Sequence, residues 1–306
     1  MKYLKIYGAI FLTMIFWSFS YIWFKMANEN FKPFTIIFLR LLFAAVILTI
    51  FLLIRHEFVP IKREDRKLFL ILSIFEPFLY FIGESNGLTY VTSTTGSVII
   101  STIPVFVAIA VWIFFKQRLR IINYAGIILS FAGIVVFVVD TGGALTFNIK
   151  GLLFLGLAVF SATGYNILLE RLVGKYNPVF VVNIQNIIGI ILFSPIFLFT
   201  DMKNFFSTPH TLKSFVPILE LAIFASCCAF VLFAWSVKQI GVVKVNPFSN
   251  FTPVLTAVFS YFLLGNTLTL QNIVGMIIII CGISLTQIDK HNKKNEETMI
   301  LTNKSG

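Results

Sequence analysis

One stretch of this chain occurs twice, and the second copy constrains the fold more than any other feature. Ser97 to Gly133 falls without a gap on Asn246 to Gly282, 149 positions later. Pro104 meets Pro253, Asn123 meets Asn272, Gly126 meets Gly275 and Gly133 meets Gly282. The loops inside the two copies differ sharply in charge: 116–120 carries Lys116, Arg118 and Arg120, whereas 265–269 carries no cation. Cytoplasmic loops of membrane proteins retain Lys and Arg, and loops on the other side lack them. The same unit is therefore expected in the membrane in two opposite orientations. Inverted repeats of this kind point to secondary transporters.

Composition supplies the membrane. Of 306 residues, 58% are hydrophobic and 12% charged, and mean hydropathy is +0.92. A helical span needs about 20 apolar residues, and such runs follow one another almost end to end. They predict ten spans, at 6–26, 34–54, 68–88, 93–115, 121–139, 150–169, 179–199, 215–235, 242–264 and 272–288. The first follows Lys2 and Lys5 as a signal peptide would. Its apolar part, Ile6 to Phe24, is longer than a signal core and precedes no small-x-small cleavage site, so it reads as a retained helix. The expected fold class is an all-α membrane protein with ten transmembrane helices as two inverted five-helix repeats. The first repeat covers 1–140, an inter-repeat turn marked by Thr141-Gly142-Gly143 covers 141–148, the second repeat covers 149–288, and 289–306 is a cytoplasmic polar tail.

Ten spans put both termini on one face. That face collects 18 cations: Lys2, Lys5, five in loop 55–67, three in 116–120, Arg171, Lys175, Lys238, Lys244 and four in the tail. The opposite face has Lys32, Lys150, Lys203 and Lys213; Lys25 and Arg40 fall inside spans. The asymmetry makes both ends cytoplasmic, in a multi-pass protein of the cytoplasmic (inner) membrane. The net charge of +11 would point to nucleic acid in a soluble protein. Here orientation and anionic lipid headgroups account for it, so the lipid bilayer and not nucleic acid is the expected partner. Cys227, Cys228 and Cys281 all lie in apolar segments and imply neither a disulfide framework nor a thiolate metal site. No metal and no cofactor are expected.

Further residues carry a family resemblance: Trp17-Ser18-x-Ser20 with Lys25, Pro33, Arg40-Leu41-Leu42-Phe43-Ala44, Gly87-Leu88-Thr89-Tyr90-Val91-Thr92-Ser93, then Pro104, Gly126 and Gly133, repeated as Pro253, Gly275 and Gly282. In order and spacing the chain resembles the EamA-like branch of the drug/metabolite transporter superfamily over nearly its whole length. Where that family often carries Glu just after the fourth and ninth spans, this chain has Gln117 and Asn266. The resemblance implies a ten-helix carrier with a central cavity lined by helices 1, 3, 4, 6, 8 and 9. Related members export amino acids and other small metabolites.

Polar groups inside a bilayer are expensive, so each needs a reason. Ser97 and Ser101 share a helical face one turn before Pro104; their repeat partners are Asn246 and Asn250, before Pro253. A mid-helix proline removes a hydrogen bond and kinks the helix. The pattern reads as two facing polar stripes at the midplane forming a substrate site, or as interhelical glue with two kinks; its recurrence in the inverted copy favours the site. Glu76, Tyr80 and Glu84 lie on one face of the third helix; Trp17, Tyr21 and Lys25 have the same spacing in the first, where Ser18 is a further cavity candidate. Lys25, Arg40 and Glu84 are expected to meet near the outer mouth, as a gate or coupling group or as a fixed ion pair. Glu76 either titrates or caps the backbone kinked by Pro77. Tyr165, Asn166 and Trp235 contact cargo or pack the core. Gly126 and Gly133, like Gly275 and Gly282, are seven apart and permit close helix packing, with a homodimer contact as the alternative.

An intramembrane enzyme is disfavoured, because His56, His210 and His291 all fall in loops or the tail and no Asp lies within a predicted span. A multidrug or organic-cation efflux carrier is the nearer alternative, but it would ordinarily place an acid in the first helix, where this chain has Lys25. The expectation is a carrier that moves a small polar or amphipathic metabolite, such as an amino acid, outward by alternating access.

Overall fold

The computed structural model describes residues 2–115, 121–138, 148–265 and 269–286. Loop 116–120 with Gln117, the turn at Thr141-Gly142-Gly143, Asn266 and the tail lie outside these residues. Every regular element among the described residues is helical. Among the described residues six helices are long and apolar enough to cross a membrane: α1 (Lys2–Asn28), α2 (Pro33–Ile54), α3 (Arg63–Tyr90), and, after the shorter α4 (Ser93–Ile100), α5 (Ile103–Phe115) and α6 (Ile121–Val138), the long α7 (Ile149–Lys175), α8 (Pro178–Ser207) and α9 (Leu212–Ile240). Two shorter apolar helices follow, α10 (Phe251–Leu264) and α11 (Leu270–Thr286). Large apolar side chains such as Ile128, Phe199 and Phe262 stand 70–90% exposed on the outside, as lipid-facing surface should.

Local chemistry sets the helix ends. Pro33 and Pro178 each occupy a first turn, where a missing N–H sacrifices no helical bond. The side chains of Thr92, Asn148 and Asn177 accept from backbone N–H groups at the starts of α4, α7 and α8. Gly265 ends α10 in the left-handed conformation, with φ at 66°.

Prolines also break helices from within. Pro77 has no N–H to donate, and before it Glu76 adopts an extended conformation, interrupting α3. The Phe75 carbonyl beside the break accepts a hydrogen bond from Ser161 on α7. At Pro104 the break falls earlier than the proline: α4 ends at Ile100, and Pro104 sits in the first turn of α5. In the second copy the corresponding stretch, Asn246–Asn250, winds as a 3₁₀-helix before α10.

Several helix pairs join residues before 140 to residues after it, and two of them do so by different means, one through polar bonds and one through glycines. In the first, α2 runs antiparallel to α8. Thr35 at the start of α2 bonds Asp201 late in α8 through its backbone N–H and hydroxyl, at 3.1 and 3.2 Å. Thr49 and Asn183 pair toward the other end, and Asn177 at the start of α8 donates to Glu57 past the end of α2 at 2.6 Å. In the second, α6 packs against α11 through glycines. A Cβ on Gly133 would lie 3.0 Å from the Gly275 carbonyl, and one on Gly282 would lie 2.8 Å from that of Gly126. Asn272 Nδ2 donates to the Phe137 carbonyl and Asn123 Nδ2 to that of Leu285. The glycine faces are thus occupied within the chain.

A polar cluster ties the start of α3 to the α7–α8 connection. Buried Asp65 accepts from Lys175 Nζ at 2.6 Å and from the Tyr176 hydroxyl at 2.9 Å. The Lys62 N–H donates to that hydroxyl, and Lys238 Nζ to the Tyr176 carbonyl.

Candidate functional site

A cavity lies where these packed elements part. Its volume is about 70 Å³, against roughly 10–15 Å³ for one water. The space thus suits several waters or a small solute. Its lining comes from both copies of the repeat and from most of the long helices: Trp17, Ser20 and Tyr21 of α1, Arg40 of α2, and Glu76, Tyr80, Phe81 and Glu84 of α3. Ser97, Ile100, Ser101 and Ile103 come from the first repeat copy. Ala162, Tyr165 and Asn166 of α7, Phe230 and Phe233 of α9, and Asn246, Ser249 and Thr252 complete it.

The charged members lie near one another without touching. Arg40 is 3% exposed. Its Nε donates to Ser226 Oγ at 3.0 Å, and its Cζ lies 4.2 Å from the centroid of the Phe81 ring. Among the described residues, no carboxylate comes within 4.0 Å of it. Glu84 accepts from the Tyr80 hydroxyl at 2.8 Å, one helical turn away. Glu76 reaches the cavity from the break at Pro77. A buried charge without a partner costs several kcal/mol, so three ionisable groups around one void need a reason beyond packing.

The neutral polar groups divide into two kinds. Ser97 and Ser101 donate back to carbonyls three residues earlier, Thr94 and Val98. Tyr165 donates to Gln185, and Asn166 Nδ2 to the Ala162 carbonyl. By contrast, Asn166 Oδ1 and Asn246 Nδ2 are buried without a hydrogen-bond partner. One is an acceptor and the other a donor.

Ten of the residues singled out by sequence therefore share this cavity: Tyr21, Arg40, Glu76, Tyr80, Glu84, Ser97, Ser101, Tyr165, Asn166 and Asn246. Four lie outside its lining. Ser18 bonds the Met14 and Thr252 carbonyls, joining α1 to α10. Trp235 packs against the apolar core. Lys25 is half-buried farther along α1 and does not join Arg40 and Glu84. Asn250 is buried with Oδ1 unpartnered. Its position follows from the winding: residues four apart share a face on an α-helix, whereas on a 3₁₀-helix it is residues three apart. Ser249, three after Asn246, lines the cavity in its place. Of the residues the sequence did not mark, Ser226 and Phe81 hold Arg40, yet both stand in apolar runs with nothing to distinguish them.

Comparison with known proteins gives the family. The EamA-like transporter family matches residues 4–139 and again 149–288. An uncharacterized transporter of Archaeoglobus fulgidus is 26% identical over 285 residues, 92% of this chain and 96% of its own length. The uncharacterized transporter YcxC of Bacillus subtilis (strain 168) is 23% identical over 299 residues, 94% and 96% of the two chains. A solved crystal structure shares the fold, with a TM-score of 0.70 at 14% identity over 92% of this chain and 98% of its own. The apolar helices and these matches together make this a multi-pass membrane protein, and the chain belongs to the EamA-like transporter family.

Proposed function

We propose that the chain is a secondary carrier of ten membrane-spanning helices in two inverted five-helix halves. It moves a small polar or amphipathic metabolite out of the cell by alternating access, and an amino acid fits the lining. The observation that carries this reading is the cavity between the repeat copies, lined by Arg40, Glu76 and Glu84 together with Ser97, Ser101, Asn166 and Asn246. Support for the inverted arrangement comes from the pairing of α6 with α11. Exchanging each residue for its repeat partner turns the Gly133–Gly275 contact into Gly282–Gly126, which is the other observed contact. A two-fold axis in the membrane plane has that effect. The cation asymmetry supports cytoplasmic termini and a location in the cytoplasmic membrane.

Counterflow in proteoliposomes tests the reading. Liposomes preloaded with unlabelled amino acids should accumulate the labelled compound transiently, and the protein with Asn246→Ala should do so more slowly. Absence of exchange across a broad amino-acid panel, at several pH values, would remove that cargo class.

A further inference from the structure

We infer that the cargo carries a single carboxylate group on an apolar body, and that the Arg40 guanidinium binds that carboxylate. This rests on the carrier reading above and names the class of solute the same cavity takes. Arg40 is buried, and one of its five donors, Nε, is engaged by Ser226. The Phe81 ring lies against the guanidinium. What remains is the end-on fork of the two terminal nitrogens, which bond no acceptor among the described residues. That fork matches the two oxygens of a carboxylate, with two parallel charge-assisted hydrogen bonds. Ser226 and Phe81 fix its direction in advance, which lowers the ordering cost of binding.

The rest of the lining decides what the carboxylate is attached to. Trp17, Tyr21, Phe230 and Phe233 present ring surface to the same space, favouring a flat or aliphatic body. Charge decides the valence. Among the described residues Glu76 and Glu84 share the cavity with a single cation, Arg40, so a phosphate dianion would face two acids across one guanidinium. A monoanion suffers half that repulsion and still neutralises Arg40.

A head-group series on one scaffold tests this with the purified full chain in detergent. Binding of labelled 3-phenylpropanoate is measured by scintillation proximity and displaced by unlabelled acid, by 3-phenylpropanamide, by 3-phenylpropylamine and by inorganic phosphate. The acid should bind saturably. The amide and amine should bind about tenfold or more weakly, and phosphate should not compete. Arg40→Gln should weaken the acid by about tenfold or more and leave the amide unchanged, with Arg40→Lys in between because it keeps the charge and loses the fork. Should Arg40→Gln fail to fold, the series on the unaltered protein still decides. Equal affinity for acid, amide and amine, competition by phosphate, an undiminished acid affinity in Arg40→Gln, or no binding of the acid at millimolar concentration would each overturn the inference. Proteoliposome exchange of a neutral or cationic solute alongside such a result would leave the carrier standing and remove only the anion hook.

Discussion

Two of the places where residues 4–139 meet residues 149–288 treat asparagine in opposite ways. Where α6 meets α11, Asn272 donates to the Phe137 carbonyl and accepts from Thr269, while Asn123 donates to the Leu285 carbonyl. Around the cavity, Asn246 and Asn166 each keep one buried amide atom unbonded. The chain can therefore satisfy amides across its midline where only packing is at stake. Leaving them open, as at Asn166 and Asn246 and, outside the cavity lining, at Asn186 and Asn250, costs about 1–3 kcal/mol per group.

Substitutions that separate stability from transport sharpen the contrast. The largest effect is expected from Gly282→Leu, whose Cβ would lie 2.5 Å from the Ser130 backbone nitrogen. Forcing α6 and α11 apart should cost about 3 kcal/mol, read as a lower melting temperature in detergent. Gly133→Leu should cost a similar amount, because its Cβ would fall 2.7 Å from the Ile279 nitrogen. A large loss in only one of the two would break the reciprocity. Next comes Asn272→Ala, which should lower stability by about 1 kcal/mol and leave counterflow intact. Asn246→Ala should do the reverse, slowing counterflow several-fold while the melting temperature holds or rises, since an unpaired amide is removed. If both behave alike, the two interfaces do not differ in kind. The smallest effect belongs to Glu84→Gln, which keeps an acceptor for Tyr80 and removes one titrating group among Tyr21, Glu76, Tyr80, Tyr165 and Arg40. A displaced pH profile of counterflow is expected. An unchanged profile would reduce Glu84 to a hydrogen-bond acceptor.

Much of this was legible in the sequence because membranes amplify simple signals. Apolar runs mark helices, and a polar residue inside one is rare enough to notice, as with Arg40, Glu84 and Ser101. What escaped was set by winding and by partners. Asn250 shares a face with Asn246 only on an α-helix, and the 3₁₀ turn at Asn246–Asn250 puts Ser249 there instead. Lys25 repeats the spacing of Trp17 and Tyr21, but spacing along one helix does not fix how deep the cavity extends. Ser226 orients the cavity's cation from within the run Leu221–Ala229, and a serine there looks like any small residue used for packing. The contact of Gly133 with Gly275 required both copies to be seen folded, since a stripe of glycines serves an internal partner and an external one equally well.

Ser101→Cys, in a chain whose Cys227, Cys228 and Cys281 are replaced by serine, gives the most direct test of a cavity opened alternately to the two sides. In vesicles of defined orientation, a membrane-impermeant maleimide should modify this cysteine when added from either face, and bound cargo should slow both reactions. Modification from one face alone under every condition, or from neither, would contradict the account.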